Sequence, residues 1–179
     1  VSYALIGARV LIGLVFAVSA VTKLRGRAAF TAFRASVADM RVVPEPLAGP
    51  VAATVVATEA AIPALLLAPA TTAASLVLAV LLLAAFSAGI ARVLATGTAA
   101  SCRCFGVSAA PFGRHHLHRN GALALTAAAG LAWPASATDP AGSAIVAGVA
   151  AVAALTVVML DDIVDLFRSP AVRTPRSGR

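Results

Sequence analysis

Apolar residues in this chain fall into five long runs, at about residues 3–21, 48–68, 73–91, 117–133 and 143–160, separated by short polar connections. Each run approaches the roughly 20 residues that an α-helix needs to cross the hydrocarbon core of a bilayer. The first is interrupted only by Arg9 and Ser19, and the second carries Glu59 and Pro63. An uncharged turn at residues 69–72 makes the second and third runs an antiparallel hairpin. The fourth run is the weakest, because only residues 121–133 are free of strongly polar groups other than Thr126. Between the first two runs, Phe30, Phe33, Val37 and Met40 recur at helical spacing with Arg27, Arg34, Asp39 and Arg41 between them. That pattern predicts an amphipathic helix over 27–41 lying in the membrane interface, its phenylalanines in lipid as anchors or against the bundle. Pro44, Pro46 and Pro50 end it. The chain therefore reads as an all-α integral membrane protein, a bundle of four to five transmembrane helices plus an amphipathic interfacial helix. It forms one domain over residues 1–165, followed by a basic tail at 166–179 expected to be disordered.

Composition sharpens this picture. Of 179 residues, 60% are hydrophobic and 12% charged, and the mean hydropathy is +0.95, well outside the soluble range. The net charge of +7 would suggest nucleic acid in a soluble protein; here the cations sit between apolar runs, so nucleic acid is set aside and membrane lipid is the expected partner. The first run lacks a small-residue cleavage site and reads as a retained span. With five spans, thirteen of the fourteen Lys and Arg residues share one side and Arg9 lies inside the first span. The positive-inside bias then puts the amino terminus outside and the long 95–118 connection at the cytoplasmic face.

That connection carries the candidate chemistry. Cys102 and Cys104 are the two cysteines of the chain. A bond between residues i and i+2 closes almost no loop and adds little stability, so it suits being made and broken. Arg103 between them favours the thiolate, and Gly106 after Phe105 permits a turn. A rival reading is a soft-metal cluster of Cys102, Cys104, His115, His116 and His118, although zinc pairs normally leave two to four residues between cysteines. The bland reading of those histidines is a solvated start to the fourth helix. Arg9 and Glu59 are ionisable groups within spans, costly unless paired. Counted from the outer face they fall at similar depths, which predicts an ion pair between the first two spans; a proton relay or quinone contact at Glu59 is the sharper alternative. No flavin- or nucleotide-binding motif is present, so a bound electron acceptor would be membrane-borne, such as a quinone.

The element Cys102-x-Cys104-Phe105-Gly106, with Arg119-Asn120 opening an apolar helix, resembles the MauE family of methylamine-utilisation proteins, within the DoxX-like redox-associated membrane proteins. Lys23-Leu24, Phe33-Arg34, and Glu59 with its proline-marked approach agree with that resemblance. It implies a multi-pass protein of a bacterial-type plasma membrane that handles thiols and disulfides. In methylamine users the family supports maturation of the disulfide-rich small subunit of methylamine dehydrogenase. Glycine commonly separates the family's cysteines, where this chain has Arg103. On this reading Cys102 and Cys104 exchange with a thioredoxin-like or other membrane redox protein, with Arg103, Phe105, Gly106, Arg119 and Asn120 in support. The rival from another class is a non-catalytic scaffold or anchor subunit of a redox complex.

Overall fold

A computed structural model describes residues 2–98, 113–133 and 139–167. Six helices account for most of them: α1 (Ser2–Leu24), α2 (Arg27–Asp39), α3 (Ala48–Leu66), α4 (Thr72–Thr96), α5 (Arg114–Ala132) and α6 (Pro140–Phe167). The expectation of an all-helical membrane bundle is met. Among the described residues, four stretches are long and apolar enough to cross a membrane: Tyr3–Leu24, Glu45–Leu66, Pro69–Thr96 and Pro140–Leu160.

Helix α5 falls outside that group because its first two turns are polar, yet it runs the length of the bundle. It leaves the end where α4 finishes. Its Gly130 reaches the amino-terminal part of α1, where a Cβ would lie 2.7 Å from the Ala8 Cβ. The next helix then starts beside the same end of α1, with the Tyr3 hydroxyl donating to the Asp139 carboxylate. The fourth apolar run is thus a bundle helix turned inside out. His116, Arg119, Asn120, Leu123, Ala127 and Gly130 form its buried face, while Leu125 is 73% exposed. In lipid, exposed leucine and buried polar groups are the stable arrangement, provided the polar groups find partners.

The principal core joins Ile12, Val15 and Phe16 of α1 to Ile62 and Leu66 of α3. Leu76, Ala79 and Leu83 of α4, Leu123 and Ala127 of α5 and Ala154 of α6 complete it. A second cluster seats α2 on α3 through Phe33, Val37, Ala48, Ala52 and Val56. The amphipathic period of α2 is therefore satisfied against protein. Of the two placements open to the phenylalanines, Phe33 takes the one against the bundle and is 4% exposed.

The hairpin between α3 and α4 closes by satisfying the last carbonyls of α3, which no intrahelical donor reaches. Thr71 donates to the Leu65 carbonyl, and Ser75 on α4 adds a second bond across the hairpin, to the Ile62 carbonyl one turn earlier at 2.8 Å. At its far end α4 stops on Gly97, whose φ of 65° is left-handed, a conformation that costs a side-chain-bearing residue about 1–2 kcal/mol. Helix α6 is peripheral. It packs on α1 and leaves Ile145, Val149, Val152, Leu155 and Met159 exposed, an apolar outer surface suited to acyl chains.

Candidate functional site

The most polar spot in the apolar interior is assembled by α1 and α3. Ser19 and Lys23, one helical turn apart, project from α1 toward Glu59 in the middle of α3. Lys23 Nζ lies 2.9 and 2.8 Å from the two Glu59 carboxylate oxygens and 2.6 Å from Ser19 Oγ. Ser19 Oγ in turn donates to Glu59 Oε1 at 3.0 Å. Lys23 is 2% exposed and Glu59 1%. The ammonium also stands 4.8 Å from the centre of the Phe33 ring on α2, in range for a cation–π contact. Removing two charges from water costs several kcal/mol each; bidentate pairing, a hydroxyl bridge and an aromatic face offset that here.

Sequence reasoning placed Lys23 among the cations of a cytoplasmic edge, and it set Glu59 against Arg9. The pairing is corrected: the partner of Glu59 is Lys23, buried near the end of α1. Arg9 Nε and Nη2 donate to the Leu66 carbonyl and Nη2 also approaches that of Leu67. The error was one of register. In the antiparallel α1–α3 pair, Arg9 faces Leu66 and Ser19 faces Glu59. Those two levels of α1 are ten residues apart, about 15 Å at 1.5 Å per residue. A depth count from each apolar run could not see it, because the two helices are offset: Arg9, seven residues into α1, lies level with Leu66, the last residue of α3.

A cavity of about 40 Å³ adjoins the ion pair. Ser19, Ser36 and Glu59 contribute to its wall, and so do Arg119 and Asn120 from α5, 5% exposed each. Water needs at least roughly 10–15 Å³ of such space and several polar partners, and this site meets both conditions. The space is smaller than the roughly 150 Å³ of an engineered apolar cavity that holds benzene.

Of the residues singled out in sequence, Arg119, Asn120 and Glu59 converge on one site, and Arg9 lies apart from them. Cys102, Arg103, Cys104, Phe105 and Gly106 lie outside the described residues. The connection that bears them leaves α4 and enters α5 at the end of the bundle that holds the ion pair. The histidines divide: His118 is exposed, whereas His116 is fully buried. Its Nδ1 accepts the Gly113 N–H at 3.1 Å, closing the first turn of α5. The expectation of a solvated histidine start fails for His116. Among the described residues, no group of three His, Cys, Asp or Glu side chains is placed to hold a metal ion.

A family model described as methylamine utilisation protein MauE matches residues 1–134. Neither the curated proteins nor the solved structures contain a match to this chain. The matched stretch spans α1 to α5 and contains the ion pair, the cavity and the cysteine-bearing connection.

Proposed function

Because the chain belongs to the MauE family, and is a membrane protein accordingly, we propose that it performs thiol–disulfide exchange through Cys102 and Cys104. The observation that supports this reading is a convergence of polar residues at the end of the bundle where α4 finishes and α5 begins. Arg119 and Asn120, in the second turn of α5, line one largely apolar cavity with Glu59.

The exchange balances as follows. One thiolate of the pair attacks a disulfide of a thioredoxin-like or membrane-bound partner, forming a mixed disulfide and releasing one partner thiolate. The second cysteine, as thiolate, attacks the mixed disulfide, closing Cys102–Cys104 and freeing the other partner sulfur. The pair is oxidised, the partner is reduced, and the two protons lost by the pair end on the partner's thiols. The reverse sequence reduces the pair. Arg103 favours the attacking thiolate, while Arg119 and Asn120 position the connection.

The cation distribution supports an external amino terminus and cytoplasmic cysteines. Burial of Lys23 and Arg119 removes two residues from the count of loop cations and leaves its direction unchanged. A membrane-impermeant thiol reagent applied to intact cells, before and after reduction, tests both sidedness and redox state. Labelling should appear only after the cells are opened and should increase on reduction. Cysteines that stay reduced under every cellular condition would end the exchange reading. So would full partner maturation by a chain with Cys102→Ser and Cys104→Ser, which is what a scaffold subunit predicts.

A further inference from the structure

A groove of about 460 Å³ runs between α1 and α3 at the end of the bundle opposite the Lys23–Glu59 pair. Its apolar walls come from Ile6, Val10 and Leu14 on α1 and Pro63 and Leu66 on α3, and Gly13 and Ala17 lie along it. The cause is local. Two small residues one turn apart thin α1, and Pro63 inside α3 removes a backbone donor from the facing helix. One charged group borders this groove, Arg9.

Its guanidinium is only half committed. Nε and Nη2 bond the carbonyls of Leu66 and Leu67 at the carboxyl-terminal end of α3, whereas the Nη1 donors meet no acceptor among the described residues. No carboxylate among those residues lies within ion-pair distance of Arg9. Arg9 stands seven residues into α1, about 10 Å from its start, and its side chain extends toward the end of α3, as a snorkelling arginine does. A full positive charge at the head of an apolar groove therefore has no counter-charge among the described residues.

We propose that the α1–α3 groove binds an anionic phospholipid, one acyl chain along Gly13 and Ala17 and the phosphate on Arg9. The shape matches an aliphatic chain, and the guanidinium matches phosphate oxygens in the planar, multidentate manner that arginine favours. A net negative lipid supplies the missing charge; a neutral lipid fills the groove without doing so. The site is independent of the thiol chemistry, because it uses neither the cysteines nor the ion pair.

The test uses the full chain in neutral detergent, with native mass spectrometry for retention and thermal unfolding for stabilisation. The probes are phosphatidylglycerol, a diacylglycerol with the same chains, and glycerol 3-phosphate. Phosphatidylglycerol should be retained and should raise Tm, while the other two at equal concentration should do neither. Arg9→Gln should weaken phosphatidylglycerol retention about tenfold, the worth of a charge-assisted bond. Should Arg9→Gln not fold, Ala17→Leu, which fills the groove and keeps the charge, should give the same loss. Wild-type retention in whichever variant folds overturns the proposal. So does equal stabilisation by diacylglycerol, which would mean chain packing alone, or by glycerol 3-phosphate, which would mean an anion site without a lipid.

Discussion

Arg9 and Lys23 stand near opposite ends of the same helix, about 21 Å apart along its axis, and each brings a positive charge into apolar surroundings. Lys23 is sealed in, and a complete negative charge answers it from Glu59. Arg9 is half-buried and rests on backbone carbonyls at the end of α3, where the aligned peptide dipoles supply only a fraction of a charge. The difference follows from exits. A side chain that can reach the rim of the bundle is held adequately by dipoles and by whatever lies outside. One that cannot needs an ion. That is why a carboxylate sits in the middle of α3, a membrane-spanning stretch.

Removing the ion should therefore have the largest effect. Glu59→Gln leaves the Lys23 ammonium buried against a neutral amide, and breaking a buried pair in this way costs about 3–5 kcal/mol. Thermal unfolding of the purified chain should show a marked drop in Tm. Arg9→Gln at the other end gives up hydrogen bonds to carbonyls only, partly wet, and should cost about 1 kcal/mol. Equal losses would erase the distinction between the two ends. Replacing Lys23 and Glu59 together by methionine and leucine should recover most of the stability, since an apolar pair of similar volume often matches a buried ion pair. If that double variant is stable yet no longer cycles its cysteines, the pair acts on the thiol chemistry and not only on packing.

The same contrast between ends appears along α5. Near its far end Gly130 lets the helix touch α1: an added Cβ would lie 2.7 Å from the Ala8 Cβ and 3.2 Å from the Leu76 side chain. Gly121, near the polar start, has nothing within 4 Å of that position. Gly130→Ala should cost about 1–3 kcal/mol through overpacking. Gly121→Ala should be neutral or stabilising by up to about 1 kcal/mol from helix propensity. Unfolding midpoints of the two variants side by side check both, and reversed signs would mean that α5 lies elsewhere.

Periodicity and apolar length were enough to read the helices from the chain, since each one except α5 is long and apolar or plainly amphipathic. The polar half of α5 misleads for a physical reason. His116, Arg119 and Asn120 share a stripe with Leu123 and Ala127, and the usual reading turns charged residues toward solvent, whereas lipid turns them inward. Lys23 was hidden by its place at the end of an apolar run, where cations mark the membrane edge; its turn-spaced partner Ser19 and the acid Glu59 were the available signal. Depth counting failed for Arg9 because the two helices are offset, and only packing reveals offset. The start of α6 could have been read earlier. The fifth apolar run begins at residue 143 by composition, yet Asp139-Pro140 is already an N-cap followed by proline at the first helical position.

That cap provides the mildest test. Asp139 Oδ1 accepts the Gly142 N–H at 2.7 Å, and its other oxygen accepts the Tyr3 hydroxyl, joining the starts of α6 and α1. The Gly142 N–H and the Tyr3 hydroxyl hold the Asp139 carboxyl below its ordinary value. A depressed carboxyl pKa means that the folded state binds this proton less readily than the unfolded chain does. The stabilisation is present in full above the unfolded value, near 4, and is lost as pH falls through the lower folded value. Asp139→Ala should lower Tm slightly at neutral pH, by the loss of an exposed cap. The gap between variant and wild type should close on acidification below pH 4. A gap that persists unchanged into strong acid would mean that the carboxylate charge contributes nothing where α1 and α6 meet.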